Sequence, residues 1–231
     1  MLDRPRLVRT LGPPLALLVS APWPTACAAD CDHLPPSTVS VKRLDEPVRI
    51  NLQYGYQALK ALSADYTRSD REVLGLTRGQ AIAKFSIRSM VLPDPSGRWE
   101  CASHQIALEY GFSPLTVYVS KEFPQGSCAH DEIYAHELKH VRVYQAHARK
   151  IEQEIVDRLR DRFAATAPIR GPRGETQLRL NQQIHQEWIP FVKRLLDEAN
   201  IAQRDVDSPE EYERVAASCN GAIKRQLTRP R

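Results

Sequence analysis

Two histidines and a glutamate between residues 136 and 140 have the spacing that points most directly to chemistry. The segment reads His136-Glu-Leu-Lys-His140, which is the HExxH pattern. Four residues are a little more than one turn of an α-helix, so both imidazoles leave the same face and can bind one metal ion. Neutral imidazole is a good ligand for Zn²⁺, and tetrahedral zinc accepts two ligands from one helix. The pattern therefore predicts a zinc site on His136 and His140.

Glu137 is the residue in this segment that predicts a reaction. It lies about 100° around the helix from His136, too far round to complete the metal shell but well placed to take a proton from a metal-activated water. Hydrolysis of an amide requires at least a water molecule whose pKa the metal lowers and a carboxylate that acts as base. We therefore predict a zinc-dependent peptidase with Glu137 as general base, rather than a solvated helix that carries the pattern by chance.

A catalytic zinc site needs a third protein ligand, and the sequence leaves its identity open. His147 lies seven residues beyond His140, about 10 Å along a helix axis, which is too far to share the ion. If the next helix returns antiparallel after a turn near residues 170–171, residues 200–205 lie beside the histidines. Glu211 is favoured as the ligand, although Ser208-x-x-Glu211 also reads as a helix capping box. The other acidic candidates are Asp207, Asp205 and Glu198.

The elements that must position this site are predicted from the spacing of apolar residues. The predicted strands are residues 38–44, 48–54, 83–91 and 99–110, with a hairpin turn at 93–97, and Leu115–Ser120. The predicted helices are residues 57–66, a metal helix capped by Ser127 and unbroken to Phe163, 177–202 with a kink at Pro190, and 212–224. The fold class is therefore α+β: a small antiparallel sheet, then a long metal-binding helix and an antiparallel helical hairpin. One domain of residues 29–231 is expected.

The first 28 residues are predicted to be a signal peptide. Three arginines in the first nine residues precede a short apolar run at 11–19, and Ala26-Cys-Ala28 offers the small residues of a cleavage site. The run is too short to cross a bilayer, and no later segment is long enough. We expect a periplasmic or secreted protein cleaved near Ala28. Lipid anchoring at Cys27 is the less favoured alternative, because no aliphatic residue stands three positions before it.

Four cysteines remain after that cleavage: Cys31, Cys101, Cys128 and Cys219. An even number in an exported protein indicates two disulfides, for which three pairings exist. We favour Cys101–Cys128 together with Cys31–Cys219. A zinc site made of four cysteines is disfavoured because the chain has no CxxC pair.

Charge and strand pattern limit the expected partners. Removing residues 1–28, with three arginines and one aspartate, lowers the formal charge from +4 to +2, which argues against nucleic acid as a partner. A peptide or protein substrate is expected, and Leu115–Ser120 is the strand predicted to pair with it. Tyr144, Tyr212 and His130 are the candidates for stabilising an oxyanion. The sequence does not define an oligomeric state.

Several segments together resemble the HExxH zinc peptidases, or zincins, and more loosely an uncharacterised group of secreted bacterial proteins predicted to be zinc-dependent proteases. These segments are the strand Leu115–Ser120, Gly126-Ser-Cys128, His136-Glu-Leu-Lys-His140 and the acidic turn Asp207-Ser-Pro-Glu-Glu-Tyr212. The resemblance implies Zn²⁺, a strand beside a cleft, His136 and His140 as ligands, and Glu137 as base. It does not imply a third ligand, because no known continuation of the zincin motif matches.

Two other functions remain open at this point. One is a non-catalytic exported binding or assembly module whose metal is structural. The other is a zinc amidase acting on cell-wall peptides, which would share the zinc chemistry of a peptidase.

Overall fold

The computed structural model describes residues 31–63, 72–164 and 167–228, so the predicted signal peptide, with Cys27 and Ala28, lies outside the described residues. The fold is mixed α+β, with helices and a five-stranded sheet. The strands are β1 Thr38–Arg43, β2 Arg49–Asn51, β3 Gly75–Pro93, β4 Trp99–Val119 and β5 Ile169–Pro172. The helices are α1 Tyr56–Leu62, α2 Cys128–Lys150, α3 Glu152–Phe163, α4 Thr176–Gln183, α5 Ile189–Asp197, α6 Ala199–Val206 and α7 Pro209–Leu227. Cys31–His33 forms a 3₁₀ turn, and Ile184–Trp188 a π-helical turn.

A long antiparallel hairpin of β3 and β4 forms the body of the sheet. The two strands contain 19 and 21 residues and pair from Gly75 with Val119 to Pro93 with Glu100. The turn is where the sequence predicts it, but both strands are longer than predicted. The segment predicted as a separate strand, Leu115–Ser120, is the end of β4, because residues 75–79 of β3 extend the pairing along it.

The remaining strands lie on the opposite side of β4, so the sheet is mixed and the prediction of an antiparallel sheet is wrong. Strands β1 and β2 pair with β4 in parallel, at residues 105–110 and 116–118, and do not pair with each other. Strand β5 pairs antiparallel with residues 99–102. Alternation of apolar residues identifies a strand but does not encode its distant neighbour, which explains the error.

The chain returns past α2, the predicted metal helix, in the antiparallel sense that was predicted. Three contacts show this: His140 contacts Gln203, His147 contacts Leu195, and Arg162 contacts Gln183. As the first residue of each pair advances along the chain, its partner moves backwards. The helices are more broken than predicted: Ile151 separates α2 from α3, and the predicted helix 177–202 is divided. A π-helical turn precedes Pro190, which lacks an N–H and cannot continue an ordinary helical ladder.

The disulfides are Cys31–Cys101 and Cys128–Cys219, with Cα–Cα distances of 5.4 Å and 5.8 Å. The favoured pairing of Cys101 with Cys128 and of Cys31 with Cys219 is therefore wrong. Cys101, near the start of β4, pairs with Cys31 because the segment before β1 lies against this part of β4. Cys128 begins α2, and Cys219 lies at a break in α7 where residues 219–221 adopt positive φ angles. The second disulfide therefore ties α7 to the N-terminal end of α2.

Alternate residues of β4 form an apolar face that packs against the helices. Val117 and Val119 pack with Ile133 and Val141 of α2 and with Ile223 of α7. Further along β4, a second cluster packs against α2, α3 and the returning helices. Helix α2 is thereby fixed on the sheet. Within the described ranges, no helix combines the length and apolar character needed to cross a membrane.

Candidate metal centre

The imidazoles of His136 and His140 converge on one carboxylate. Their ring centroids are 5.1 Å apart, and both residues are buried on α2. Oδ1 of Asp207 lies 3.3 Å from Nε2 of His136 and 3.2 Å from Nε2 of His140. Asp207 follows the last residue of α6, and Ser208 then caps α7, so Asp207 is positioned by the turn between these helices. The three residues form a group that could hold a metal ion, with one ligand atom from each within 4.8 Å of the others.

The spacing of these atoms fits a tetrahedral ion. Two ligands bound at about 2.0–2.1 Å with a tetrahedral angle between them are about 3.3 Å apart. Both distances from Asp207 to the imidazole nitrogens agree with that separation, at 3.3 Å and 3.2 Å. Two imidazoles and one carboxylate also form a donor set that suits zinc.

Each imidazole is oriented by a partner at its other nitrogen. Nδ1 of His136 lies 3.2 Å from Oε1 of Glu211, and Nδ1 of His140 lies 2.6 Å from Oε1 of Gln203. Gln203 also donates from Nε2 to the backbone carbonyl of His140, at 3.2 Å. Both acceptors favour the tautomer with a proton on Nδ1, which leaves Nε2 free to bind a metal.

Glu211, the favoured third ligand, lies on the far side of the His136 ring from Asp207. Its carboxylate accepts from Lys139 Nζ at 2.7 Å and from Arg214, which also pairs with Glu132. Arg214 first, and then Lys139 and His136, hold the pKa of Glu211 well below its usual range. Its backbone N–H donates to Ser208 Oγ, as a capping box requires. The group that could hold a metal contains Asp207 in its place, and neither Asp205 nor Glu198 belongs to it.

The histidines and Asp207 shift one another's pKa values. Burial would lower the pKa of His140, but the hydrogen bond to Asp207 and the charge of Glu137 outweigh it and raise that pKa to about 9. The pKa of His136 is raised by the same balance of effects. Burial would raise the pKa of Asp207, yet the two histidines lower it to about 2. A metal that binds here must therefore displace protons from the imidazoles.

Glu137 lies between α2 and β3, apart from the three residues that could hold the metal. Its Oε2 accepts a hydrogen bond of 2.8 Å from Oγ1 of Thr77, and the side chain is only 4 % exposed. Burial raises the pKa of Glu137, while the positive charges of His140 and His136 oppose that effect. A carboxylate whose pKa is raised by burial is suited to accept a proton near neutral pH.

A cleft of about 1320 Å³ opens above these residues. Residues 72–81, which include the start of β3, form one wall, and α2, α6 and α7 contribute the others. Of the three predicted oxyanion partners, Tyr144 and Tyr212 line the cleft. The ring of Tyr212 is 6.3 Å from that of His136, whereas Tyr144 packs on Phe112 at 4.5 Å. His130 is buried beside Tyr134 and is not one of the residues that line the cleft.

The strand beside the cleft with a free edge is β3, not the predicted Leu115–Ser120. Residues 116–118 of β4 have β2 on one side and β3 on the other, so they cannot accept a further strand. Among the described strands, only β4 pairs with β3. Leu74 directs its carbonyl to Ser120, and backbone groups alternate along a strand, so Gly75 and Thr77 direct theirs to the free edge.

Three residues at the site were not identified from the sequence. Gln203 stands four residues before Asp207, and such a polar pair on one helix face is the only local signal. Gly75 and Thr77 give no comparable signal, because their role depends on the pairing that brings β3 against α2. His147, set aside as a ligand, instead contacts the carbonyl of Leu195 at 2.7 Å.

Comparison with known proteins gives no relative: no protein-family model, no curated protein and no solved structure matches this chain.

Proposed function

We propose that this protein is an exported zinc-dependent peptidase that uses His136, His140 and Asp207 as ligands and Glu137 as general base. The observation that carries the proposal is the position of Asp207 Oδ1, at 3.3 Å and 3.2 Å from the two Nε2 atoms, beside a buried glutamate in an open cleft. Two histidines and one carboxylate, with room for water or substrate, are the donor set of catalytic zinc in many hydrolases. Two disulfides agree with export.

Zinc is the ion that these donors favour. Calcium and magnesium prefer sites built from oxygen ligands, whereas two imidazole nitrogens and one carboxylate suit a borderline ion with tetrahedral geometry. The Nδ1 contacts with Glu211 and Gln203 support this choice, since a metal-binding histidine usually donates its other N–H to such a partner.

The roles of the side chains follow from their positions. When bound, zinc acts as a Lewis acid that polarises a peptide carbonyl and makes water more acidic. Glu137 accepts a proton from the attacking water at a carboxylate oxygen and then delivers it to the leaving nitrogen. Tyr212, which lines the cleft with its ring 6.3 Å from that of His136, is assigned as the donor to the developing oxyanion. Glu211 and Gln203 keep the imidazoles oriented throughout.

The free edge of β3 is the surface that favours an extended peptide as substrate. Backbone groups of Gly75 and Thr77 face that edge, and the same residues line the cleft that contains Glu137. A peptide that adds to the edge forms backbone hydrogen bonds whatever its sequence. Such a peptide would lie along the wall that residues 72–81 form.

The cleft makes a purely structural metal less favourable. Structural zinc sites are closed by four protein ligands. Within residues 31–63, 72–164 and 167–228, the possible metal group contains three residues, and these line a cleft. An amidase acting on cell-wall peptides would share this chemistry and is distinguished by its substrate.

The test compares Glu137→Gln with the native chain, using Glu154→Gln on the exposed face of α3 as control. We expect one zinc per chain in all three proteins, by elemental analysis, and hydrolysis of fluorescently labelled unfolded casein by all except Glu137→Gln. Removal of zinc with a chelator should abolish hydrolysis while the far-ultraviolet circular dichroism persists. Hydrolysis by Glu137→Gln would refute the mechanism. Loss of the fold on chelation would instead favour a structural metal.

A further inference from the structure

Thr77 makes two contacts with the proposed base. Its Oγ1 lies 2.8 Å from Oε2 of Glu137 and 3.1 Å from the backbone carbonyl of the same residue. In the described part of the chain, no other donor forms a hydrogen bond with the Glu137 carboxylate. The hydroxyl of one strand residue therefore holds a side chain of the metal helix.

Gly75 closes the other side of the same carboxylate. A Cβ atom at this position would lie 2.5 Å from Oε1 of Glu137, 2.7 Å from its Cγ and 2.8 Å from Cγ2 of Ile133. Such distances are too short for any side chain, so only glycine permits this approach of β3 to α2. Gly75 and Thr77 are two residues apart and project to the same face of the strand. The carboxylate thus lies against Gly75 at Oε1 and accepts from Thr77 at Oε2.

We propose that Thr77 is a positioning residue for catalysis: its hydroxyl, bound at Oε2, holds the Glu137 carboxylate in the orientation in which it takes a proton from water. This inference rests on the proposed function. A glutamate side chain has three torsions, and a shift of about 1 Å in a reacting group can reduce a rate by about 100-fold. Burial alone confines the carboxylate, but a directed hydrogen bond selects one orientation.

The position of Thr77 separates effects on catalysis from effects on substrate binding. Its backbone faces the free edge of β3, where the peptide is proposed to pair, whereas its side chain faces Glu137. Thr77→Val keeps the β-branched shape and the backbone edge and removes only the hydroxyl. Loss of the hydroxyl should therefore lower kcat and leave KM nearly unchanged. Thr77→Ser restores the hydroxyl and should restore kcat.

A matched control exists on the neighbouring strand. Thr116 of β4 pairs with Arg78 of β3 and is half-buried like Thr77, but its side chain lies on the other face of the sheet from Val117, the partner of Thr77, and it makes no hydrogen bond to Glu137. The rates are measured on a quenched fluorescent peptide taken from a site that the native protein cleaves in unfolded casein. We expect Thr77→Val to lower kcat by about 10- to 100-fold with KM changed less than about twofold. Thr116→Val and Thr77→Ser should stay within about threefold of the native kcat.

A second measurement does not depend on activity. The shifts in the midpoint of chemical unfolding caused by Thr77→Val and Glu137→Leu should not add in the double variant, because both substitutions remove the same contact. The shifts caused by Thr116→Val and Glu137→Leu should add. Zinc content should remain one per chain in Thr77→Val, since no ligand is changed.

Three results would overturn the inference: an unchanged kcat in Thr77→Val, an equal loss in Thr116→Val, or additive shifts for Thr77→Val and Glu137→Leu. If Glu137→Gln is inactive while Thr77→Val retains the native kcat, only the role of Thr77 fails. If Glu137→Gln remains active, or the native chain cleaves no peptide, the proposed function fails and the role of Thr77 in catalysis fails with it.

Discussion

Replacing Asp207 and Glu211 one at a time separates a metal ligand from a residue that orients a ligand. Asp207 Oδ1 faces both Nε2 atoms, whereas Glu211 Oε1 contacts only Nδ1 of His136, at 3.2 Å. Loss of a partner at the outer nitrogen of a metal-binding histidine typically weakens metal binding by about 10- to 100-fold. Glu211→Gln removes the negative charge beside Nδ1 but keeps an amide oxygen that accepts from it, as Gln203 does for His140, so it should still bind one zinc with affinity reduced by no more than about 10-fold.

Asp207→Ala should have the larger effect, because it removes a charged ligand. Zinc binding of about 10–16 kcal/mol in four-ligand sites corresponds to about 2.5–4 kcal/mol per ligand. At about 1.4 kcal/mol for each factor of ten, the affinity should fall by about 100- to 1000-fold. Loss of the third ligand should also abolish hydrolysis, whereas Glu211→Gln should retain part of it.

The assay is competition for zinc against a chromophoric chelator at constant pH, with elemental analysis of the dialysed proteins. Glu210→Gln is the matched control, since Glu210 is the exposed neighbour of Glu211 on α7. Glu211→Gln also releases Lys139 and Arg214 from their shared partner, so its fold is checked by thermal unfolding. Retention of tight binding by Asp207→Ala, together with its loss in Glu211→Gln, would refute the assignment and make Glu211 the ligand.

Three other predictions test neighbouring features. The pKa of His140 is raised from 6.5 to about 9, so it contributes stability that is complete below pH 6.5 and is lost as the pH rises through 9. Chelator-treated protein should therefore lose on the order of 3 kcal/mol of unfolding free energy between pH 6 and pH 10, measured by denaturant titration. An unchanged unfolding free energy over this range would contradict the pairing of His140 with Asp207. Replacing both Cys128 and Cys219 by serine should weaken zinc binding by about 10-fold in the chelator competition, because it frees α7 from α2; an equal effect on replacing the other disulfide pair would show that the loss is not local. Gly75→Ala should lower kcat by at least about 100-fold with zinc retained, because its Cβ would lie 2.5 Å from Oε1 of Glu137; a native rate would show that the carboxylate can move without cost.

The sequence alone determined the features that depend on neighbours within one or two turns of chain. The spacing of His136 and His140 places both imidazoles on one helix face, and it sets Glu137 aside from them. The cap at Ser127, which accepts from the N–H of His130, and the turn of the β3–β4 hairpin are equally local. Even the antiparallel return of the chain follows from helix length and the position of the connecting turn.

The tertiary structure decided everything that joins distant segments. Asp207 and Glu211 are four residues apart and both acidic, and only the course of the chain from α6 into α7 determines which one faces Nε2 of His136. The disulfide partners, the free edge of β3 and the contact of Thr77 with Glu137 depend likewise on which strand lies beside which helix. The spacing of apolar residues indicates which face of a helix or strand is buried, but not which other element packs against that face. For that reason the helix that carries His136, Glu137 and His140 is readable from the sequence, whereas the contacts of these residues with Asp207 and Thr77 are not.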